Sequence, residues 1–266
     1  WSISKGDVLK SFVGHTDRVN AVAFSPDGNF VLSGSDDHTL KLWDIATGQE
    51  IRTFKGHSLG VRSISLSPNE PFLLSGHNDH TLKLWDISTG RQIKVYRGHS
   101  GVVNSVIFSS DGRMALSGSS DKKIIVWDIS TGRKIRILEG HTGAVKSVVL
   151  SRDNRHALSG SEDQTIKLWD AWTGDEVKSF VLDHTYKINC VALSPDGHYA
   201  LVGTEGKTFN LIEMSTGRIH QSFDGHFFGV NSVSFSPDGK YVLSGGGDDL
   251  IKLWDIATGQ LVKSFE

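Results

Sequence analysis

Apolar positions along this chain fall in short runs separated by polar turns, and the runs come in groups of four. In the first group Val19–Phe24 alternates apolar and polar residues, which predicts a half-buried β-strand. Phe30–Gly34 predicts a second strand. Thr39–Trp43 predicts a third, with Leu40 and Leu42 facing away from Lys41. Glu50–Phe54 is more polar and suits an outer strand. The turns between the runs are chemically explicit. In Ser25-Pro26-Asp27-Gly28 the proline presets φ and the glycine tolerates a positive φ. Asp36-Asp37-His38 makes the second turn and Thr47-Gly48 the third. The same four-run group recurs at about 61–96, 103–138, 145–181, 188–223 and 230–265, giving six blades with the first at 19–54. Pro71 is the one proline near a predicted strand, and an entry position tolerates it.

The spacing is fixed. His15, His57, His99 and His141 stand 42 residues apart, His184 follows 43 later and His226 a further 42. Trp43, Trp85, Trp127, Trp169 and Trp254 keep step, with Ile212 in the fifth slot. A period in the forties made of short strands predicts a repeat architecture, an all-β propeller spanning 1–266 as a single domain. Residues 1–12 match 254–265 and read as an orphan N-terminal outer strand. Together these predict six complete four-stranded antiparallel blades plus that strand. The expected setting is part of a seven-bladed ring, and the alternative is a closed six-bladed ring. The chain starts at Trp1 inside a repeat, so it is expected to be an excerpt of a larger multidomain polypeptide.

Composition narrows the function classes. With 28 basic and 30 acidic residues the formal net charge is −2. Arg18, Arg62, Lys146 and Lys187 are interrupted by acids, which argues against nucleic acid. Cys190 is alone, so no intrachain disulfide can form, and a reducing cytoplasmic setting fits. No apolar run approaches the ~18 residues that span a bilayer, so no membrane partner is expected.

Gly-His, Ser-Pro-Asp-Gly, Leu-Ser-Gly-Ser, Asp and Trp-Asp in six concordant copies resemble the WD-repeat family of β-propellers, over essentially the whole chain. The regular repeats also resemble those of multidomain bacterial regulators, including signalling NTPases with propeller tails. The resemblance implies a buried hydrogen-bond chain in each unit, from the tight-turn Asp through His and Ser to the indole. The sets are His15, Ser33, Asp37, Trp43; His57, Ser75, Asp79, Trp85; His99, Ser117, Asp121, Trp127; His141, Ser159, Asp163, Trp169; and His226, Ser244, Asp248, Trp254. Ser, His and Asp together also invite a catalytic reading. Five sets at one period suit a building element instead, so no catalytic residue is expected. The fifth unit departs from the pattern. Val202, Gly206, Ile212 and Glu213 replace Ser, Asp, Trp and Asp, and Asp183 precedes His184.

No cofactor or metal is expected. His77-Asn78-Asp79-His80 has two histidines three apart, but a turn between strands rarely holds a ligand geometry. Gly245-Gly246-Gly247 lacks the Lys-Ser/Thr of a phosphate cradle.

The resemblance implies that a protein or peptide docks on the face of the Gly-His loops, around the channel mouth. Arg18, Asn20, Arg62, Asn104, Lys146, Lys187, Asn189, Asn231, Glu162 and Glu205 fall at the positions implied to face a partner. The asparagines could read an inserted peptide or hydrate the channel. Tyr186, Phe227 and Phe228 are aromatics where other units carry small or polar residues. They read as interface anchors, or as volume that fills the weakened fifth blade. Trp172 could mark a second contact on the opposite face. The function expected is a non-catalytic interaction scaffold, the sensor or docking module of a larger intracellular protein. The alternative is an enzyme or enzyme subunit holding a small ligand in the channel.

Overall fold

The computed structural model describes residues 1–56, 58–182 and 186–266. The chain divides into two compact units, one of residues 10–140 and one of 141–266 with 1–9. Each unit holds three four-stranded antiparallel sheets in simple meander order. In the first unit the sheets are β1–β4 (Val19–Phe24, Phe30–Ser35, Leu40–Asp44, Glu50–Phe54), β5–β8 (Val61–Leu66, Phe72–His77, Thr81–Asp86, Gln92–Arg97) and β9–β12 (Val103–Phe108, Met114–Ser119, Ile124–Asp128, Lys134–Leu138). In the second they are β13–β16 (Val145–Leu150, His156–Ser161, Thr165–Asp170, Glu176–Val181), β17–β20 (Ile188–Leu193, Tyr199–Thr204, Thr208–Glu213, Ile219–Asp224) and β21–β24 (Val230–Phe235, Tyr241–Gly246, Ile251–Asp255, Leu261–Phe265). These are the six expected blades. The second and fifth run one residue further, to Arg97 and Asp224.

Within each unit, the middle strands of one sheet are covered by the inner strand of the next. Leu32, Leu40 and Leu42 pack with Val61, Leu73 and Trp85 in one buried cluster. Leu158 and Ile166 do so with Ile188 and Val191 in the other unit. Side-chain oxygens tie the inner strands together. Ser63 and Ser65 accept hydrogen bonds from the N–H groups of Val106 and Phe108, both at 3.0 Å, and Ser147 accepts one from Val191 at 3.2 Å.

The first turn behaves as its chemistry predicts. Gly28 has φ 71°, and Asn154 takes the same conformation at φ 60° in the fourth sheet. The Asp of each Trp-Asp caps the third turn. Asp44 Oδ1 accepts from the Thr47 N–H at 2.7 Å and from its hydroxyl at 2.8 Å, and Asp128 accepts from the Thr131 N–H at 2.7 Å.

One expectation is corrected. Residues 7–12 form no strand, because no described third strand lies beside them to supply a ladder. They keep an outer strand's side-chain contacts all the same. Lys10 Nζ donates to the Ala46 carbonyl, and the Phe12 ring lies 5.8 Å from that of Trp43.

Candidate functional site

Four of the five expected side-chain sets are fully described, and each forms one continuous chain of hydrogen bonds. In the third sheet the Trp127 indole N–H donates to Ser117 Oγ at 2.8 Å. Ser117 Oγ lies 2.7 Å from His99 Nε2, and His99 Nδ1 lies 2.8 Å from Asp121 Oδ2. The sets at His15, His141 and His226 repeat these bonds at 2.7–2.9 Å. Proton counting fixes the direction. The carboxylate can only accept, so Nδ1–H donates to it; in a neutral ring Nε2 then accepts from the Ser hydroxyl, which in turn accepts from the indole N–H. The same carboxylate accepts the N–H of the residue after the His, as Ser100 and Phe227 show at 2.9 and 3.0 Å. Burial works to raise the Asp121 carboxyl, but the bonds from His99 and the Ser100 N–H outweigh it and bring it down to about 2. Burial lowers His141 despite its Asp163 partner, which keeps the imidazole neutral.

The loops pinned in this way carry the positions expected to face a partner. In every sheet one residue bulges from the start of the inner strand. The bulged residues are Asn20, Arg62, Asn104, Lys146, Asn189 and Asn231, as the register shifts show. A bulge re-aims a side chain out of the alternating pattern. A backbone bond then joins the residue before the inner strand to the residue before the tight-turn Asp. Asp36 N–H donates to the Arg18 carbonyl at 2.9 Å, Glu162 to Ala144 at 2.9 Å and Glu205 to Lys187 at 2.9 Å. The bulged residue, the residue before the inner strand and the residue before the tight-turn Asp are therefore brought together in each sheet.

Their chemistry differs by unit. In residues 10–140, Arg62 Nε donates to Asn78 Oδ1 at 2.7 Å, and its Nη1 lies 3.9 Å from Asp36 Oδ2. In residues 141–266, Lys146, Glu162, Lys187 and Glu205 form an alternating ladder with steps of 3.5, 3.5 and 3.9 Å. Beside it stand Tyr186, Phe227 and Phe228, exposed by 51%, 68% and 64%. Trp172, after the fourth Trp-Asp, is also exposed.

Comparison with known proteins gives the same pattern. The family described as "WDR90, 4th beta-propeller" matches residues 18–190, and "WD domain, G-beta repeat" matches 174–212 and 217–255. The chain belongs to the WD-repeat β-propeller family. Propellers of this family generally act as protein-interaction scaffolds and are typically not enzymes. A search of curated proteins found no match.

Several residues of this WD-repeat chain do more than its sequence disclosed. His57 lies outside the described residues, and His77 supplies an imidazole in that sheet. His77 is buried, its Nε2 lies 2.7 Å from Ser75 Oγ, and Ser75 also accepts the Trp85 indole N–H at 2.9 Å. Asp79 there accepts from Ser58 Oγ at 2.6 Å. His80 is exposed at φ 68°, so the two histidines considered for a metal do not converge. Two of the asparagines spend their amides inside the fold. Asn20 Nδ2 donates to the Val61 carbonyl at 2.9 Å and Asn189 Nδ2 to that of Val230 at 3.2 Å. Lys41, Lys83, Lys167 and Lys252 are buried lysines with satisfied ammonium groups. Lys167 Nζ, for example, donates to Glu176 at 2.7 Å and Ser179 at 3.2 Å. The signal was present in the repeated Leu-Lys-Leu-Trp, but a strand lysine reads first as solvent-facing. The lone Cys190 is buried, and that burial pushes its thiol up to about 12, away from reactivity.

The WD-repeat fifth sheet fills its pattern with apolar packing. Val202 and Ile212 are buried, and Phe209 stacks on Phe223 at 4.6 Å. Asp183 and His184 lie outside the described residues. A methyl group placed on Gly206 would stand 2.8 Å from the Tyr186 ring, so this tyrosine covers the slot of the absent Asp while remaining half exposed. Two stability results follow. Asp121→Ala leaves the His99 Nδ1–H and the Ser100 N–H without an acceptor and should cost about 1–3 kcal/mol. Gly206→Asp should restore nothing, since Tyr186 holds the space. Urea midpoints check both, and an unchanged midpoint for Asp121→Ala would remove the structural role assigned to the chain of bonds.

Proposed function

We propose that this chain is a non-catalytic docking scaffold, the sensor or docking module of a larger cytoplasmic protein. Its protein partner binds on the loop face of the unit holding residues 141–266. The observation that carries this reading is the pair Phe227-Phe228. The loop backbone is fixed, with the Phe227 N–H bonded to Asp248 Oδ2 at 3.0 Å and the preceding His226 buried. Both side chains nevertheless point into solvent. Lys252 Nζ lies 5.7 Å from the Phe227 ring centre. Rigid exposed aromatics bury large area at little entropic cost, which is the character of binding hot spots. Tyr186 extends the apolar patch. Lys146, Glu162, Lys187 and Glu205 form a charged rim that tunes orientation more than affinity. Asn189 and Asn231 of the same unit are assigned supporting contacts.

The test begins with a photo-crosslinking residue at position 228, which identifies the partner in the native cell. Phe227→Ser with Phe228→Ser should then weaken that partner's binding by about 2 kcal/mol or more, with the melting temperature unchanged. A lowered melting temperature with intact binding would make the aromatics part of the fold instead.

A further inference from the structure

The far end of the fifth sheet, away from the Gly-His loops, departs from its counterparts at one position. In every outer strand one residue bulges opposite the end of the third strand, as the register shifts show. That residue is Ile51, Ile93, Ile135, Val177 or Val262 in five of the sheets, always an exposed aliphatic. In the fifth it is His220, which is exposed too. A bulge re-aims the side chain it carries. The His220 ring lies 5.1 Å from that of Tyr199, tilted by 56°. Tyr199 opens β18 and His220 lies on β20, so the two rings meet across β19.

These rings line a cleft of about 330 Å³, together with Leu211 of β19 and Phe235, the last residue of β21. The cleft lies wholly within the unit of residues 141–266. Its charges are carboxylates. Asp196 reaches it from the first turn of the fifth sheet and Asp238 from that of the sixth, and among the described residues no lysine or arginine lines it. Each carboxylate spends Oδ1 on its own turn. Asp196 Oδ1 accepts from Ser194 Oγ at 2.5 Å and from the His198 N–H at 3.0 Å; Asp238 Oδ1 accepts from Ser236 Oγ at 2.6 Å and from the Lys240 N–H at 3.1 Å. The serine bonds, helped by those N–H groups, hold both carboxyls below their ordinary range, so both stay charged. Lys240 Nζ stands 4.0 Å from Asp238 Oδ2, on a side chain 73% exposed, and does not satisfy it. Asp27, Asp111 and Asp153 make the same serine bonds in other sheets, so the aspartates alone are a turn device. What the fifth sheet adds is the pair of polar aromatic rings beside them.

We infer that this cleft binds a guanidinium group, the side chain of an arginine in a peptide or of the free amino acid. A guanidinium is planar and weakly hydrated, so it stacks on ring faces at less cost than an ammonium does. Its edge carries several N–H donors, which can reach Asp196 Oδ2 and Asp238 Oδ2 while the flat face lies on Tyr199 and His220. Phe235 and Leu211 receive the aliphatic stem. The site stands apart from the loop-face reading and does not depend on it.

The test titrates the whole chain with the blocked tripeptide acetyl-Gly-Arg-Gly-amide and follows histidine and tyrosine ring signals by NMR. The His220 and Tyr199 signals should move together and saturate with a dissociation constant of about 1 mM, as suits a single side chain. Citrulline in place of arginine keeps the shape and loses the charge, and should weaken binding about tenfold or more. His220→Ile installs the type of aliphatic that the other sheets carry. It should leave the melting temperature unchanged and weaken the arginine peptide about fivefold or more. Asp196→Asn with Asp238→Asn keeps an acceptor for each turn and should abolish binding. Phe227→Ser with Phe228→Ser should leave this binding intact, which keeps the site's failure distinct from that of the loop face. Free arginine separates the sources: equal affinity assigns the small molecule, and tighter binding of the tripeptide assigns a peptide. No saturable shift up to about 10 mM would overturn the inference. So would a citrulline or lysine peptide that binds as tightly as the arginine one, or undiminished binding by His220→Ile.

Discussion

Trp127→Ala should cost about 3–5 kcal/mol, the largest single loss expected in this chain. The indole is buried within the cluster of Leu74, Leu82, Tyr96 and Val103. It meets the Tyr96 ring edge-on at 5.7 Å and donates to Ser117 Oγ. Truncation removes this packing, leaves a cavity that strands on both sides cannot close, and takes away the donor that orients the Ser117 hydroxyl toward His99. Trp127→Phe separates the terms. It keeps one six-membered ring but loses the N–H and the rest of the indole volume, so it should cost less, about 2 kcal/mol. The fifth sheet makes the same point from the other side. Ile212 takes the indole's place and Val202 the serine's, and these two buried apolar side chains need no hydrogen-bond partner. Urea midpoints of the two variants measure both quantities, and a loss under 1 kcal/mol for Trp127→Ala would mean that the site collapses freely.

Strands, turns and side-chain chains were legible in the sequence because each depends on local rules. Period-two alternation fixes which side chains enter the core, and Ser-Pro-Asp-Gly fixes a turn. The exact recurrence of His, Ser, Asp and Trp makes any one-off chemistry an implausible use for them. What the sequence hid depends on reach. Lys41 and Asn20 occupy strand positions that look solvated. Only the neighbouring strand reveals that Lys41 ends on Glu50 and Thr53, and that Asn20 ends on the Val61 carbonyl. His77 sits where other units carry Ser, Thr or, in the sixth, Gly246, and nothing in its spacing announces that its ring turns back to Ser75. Residues 7–12 read as a strand by composition, yet a strand exists through its ladder, and composition does not say whether a partner strand lies alongside. The loop face was half legible. The repeat located the bulged positions, while the exposure of Phe227 and Phe228 depended on how the tightly held loop turns.

Acidification should destabilise the fold mainly between about pH 4 and pH 2. Asp37, Asp121 and Asp163 are each brought down to about 2, their burial being outweighed by hydrogen bonds from Thr39, His99 and Thr165 among others. Asp79 and Asp248 are lowered as well. In the unfolded chain an Asp titrates near ~3.9. As pH falls below that value, the unfolded state binds protons that the folded state still refuses, so stability falls with pH until the folded carboxylates also protonate. Their stabilising contribution is therefore complete above about pH 4 and lost on the way down to about 2. His141 adds a shallower step at higher pH. Burial lowers it, so the folded state prefers the neutral ring, and its contribution fades as pH drops through the unfolded value of ~6.5. Protonating the imidazole would also place an N–H against the Ser159 hydroxyl that otherwise donates to it. Urea midpoints measured from pH 8 to pH 2 should show both steps. Asp121→Asn and Asp163→Asn should begin less stable at pH 7 and fall less steeply below pH 4, because each removes one carboxylate from the transition. Midpoints that stay level from pH 5 to pH 2.5 would show that these carboxylates do not hold the loops as their geometry indicates.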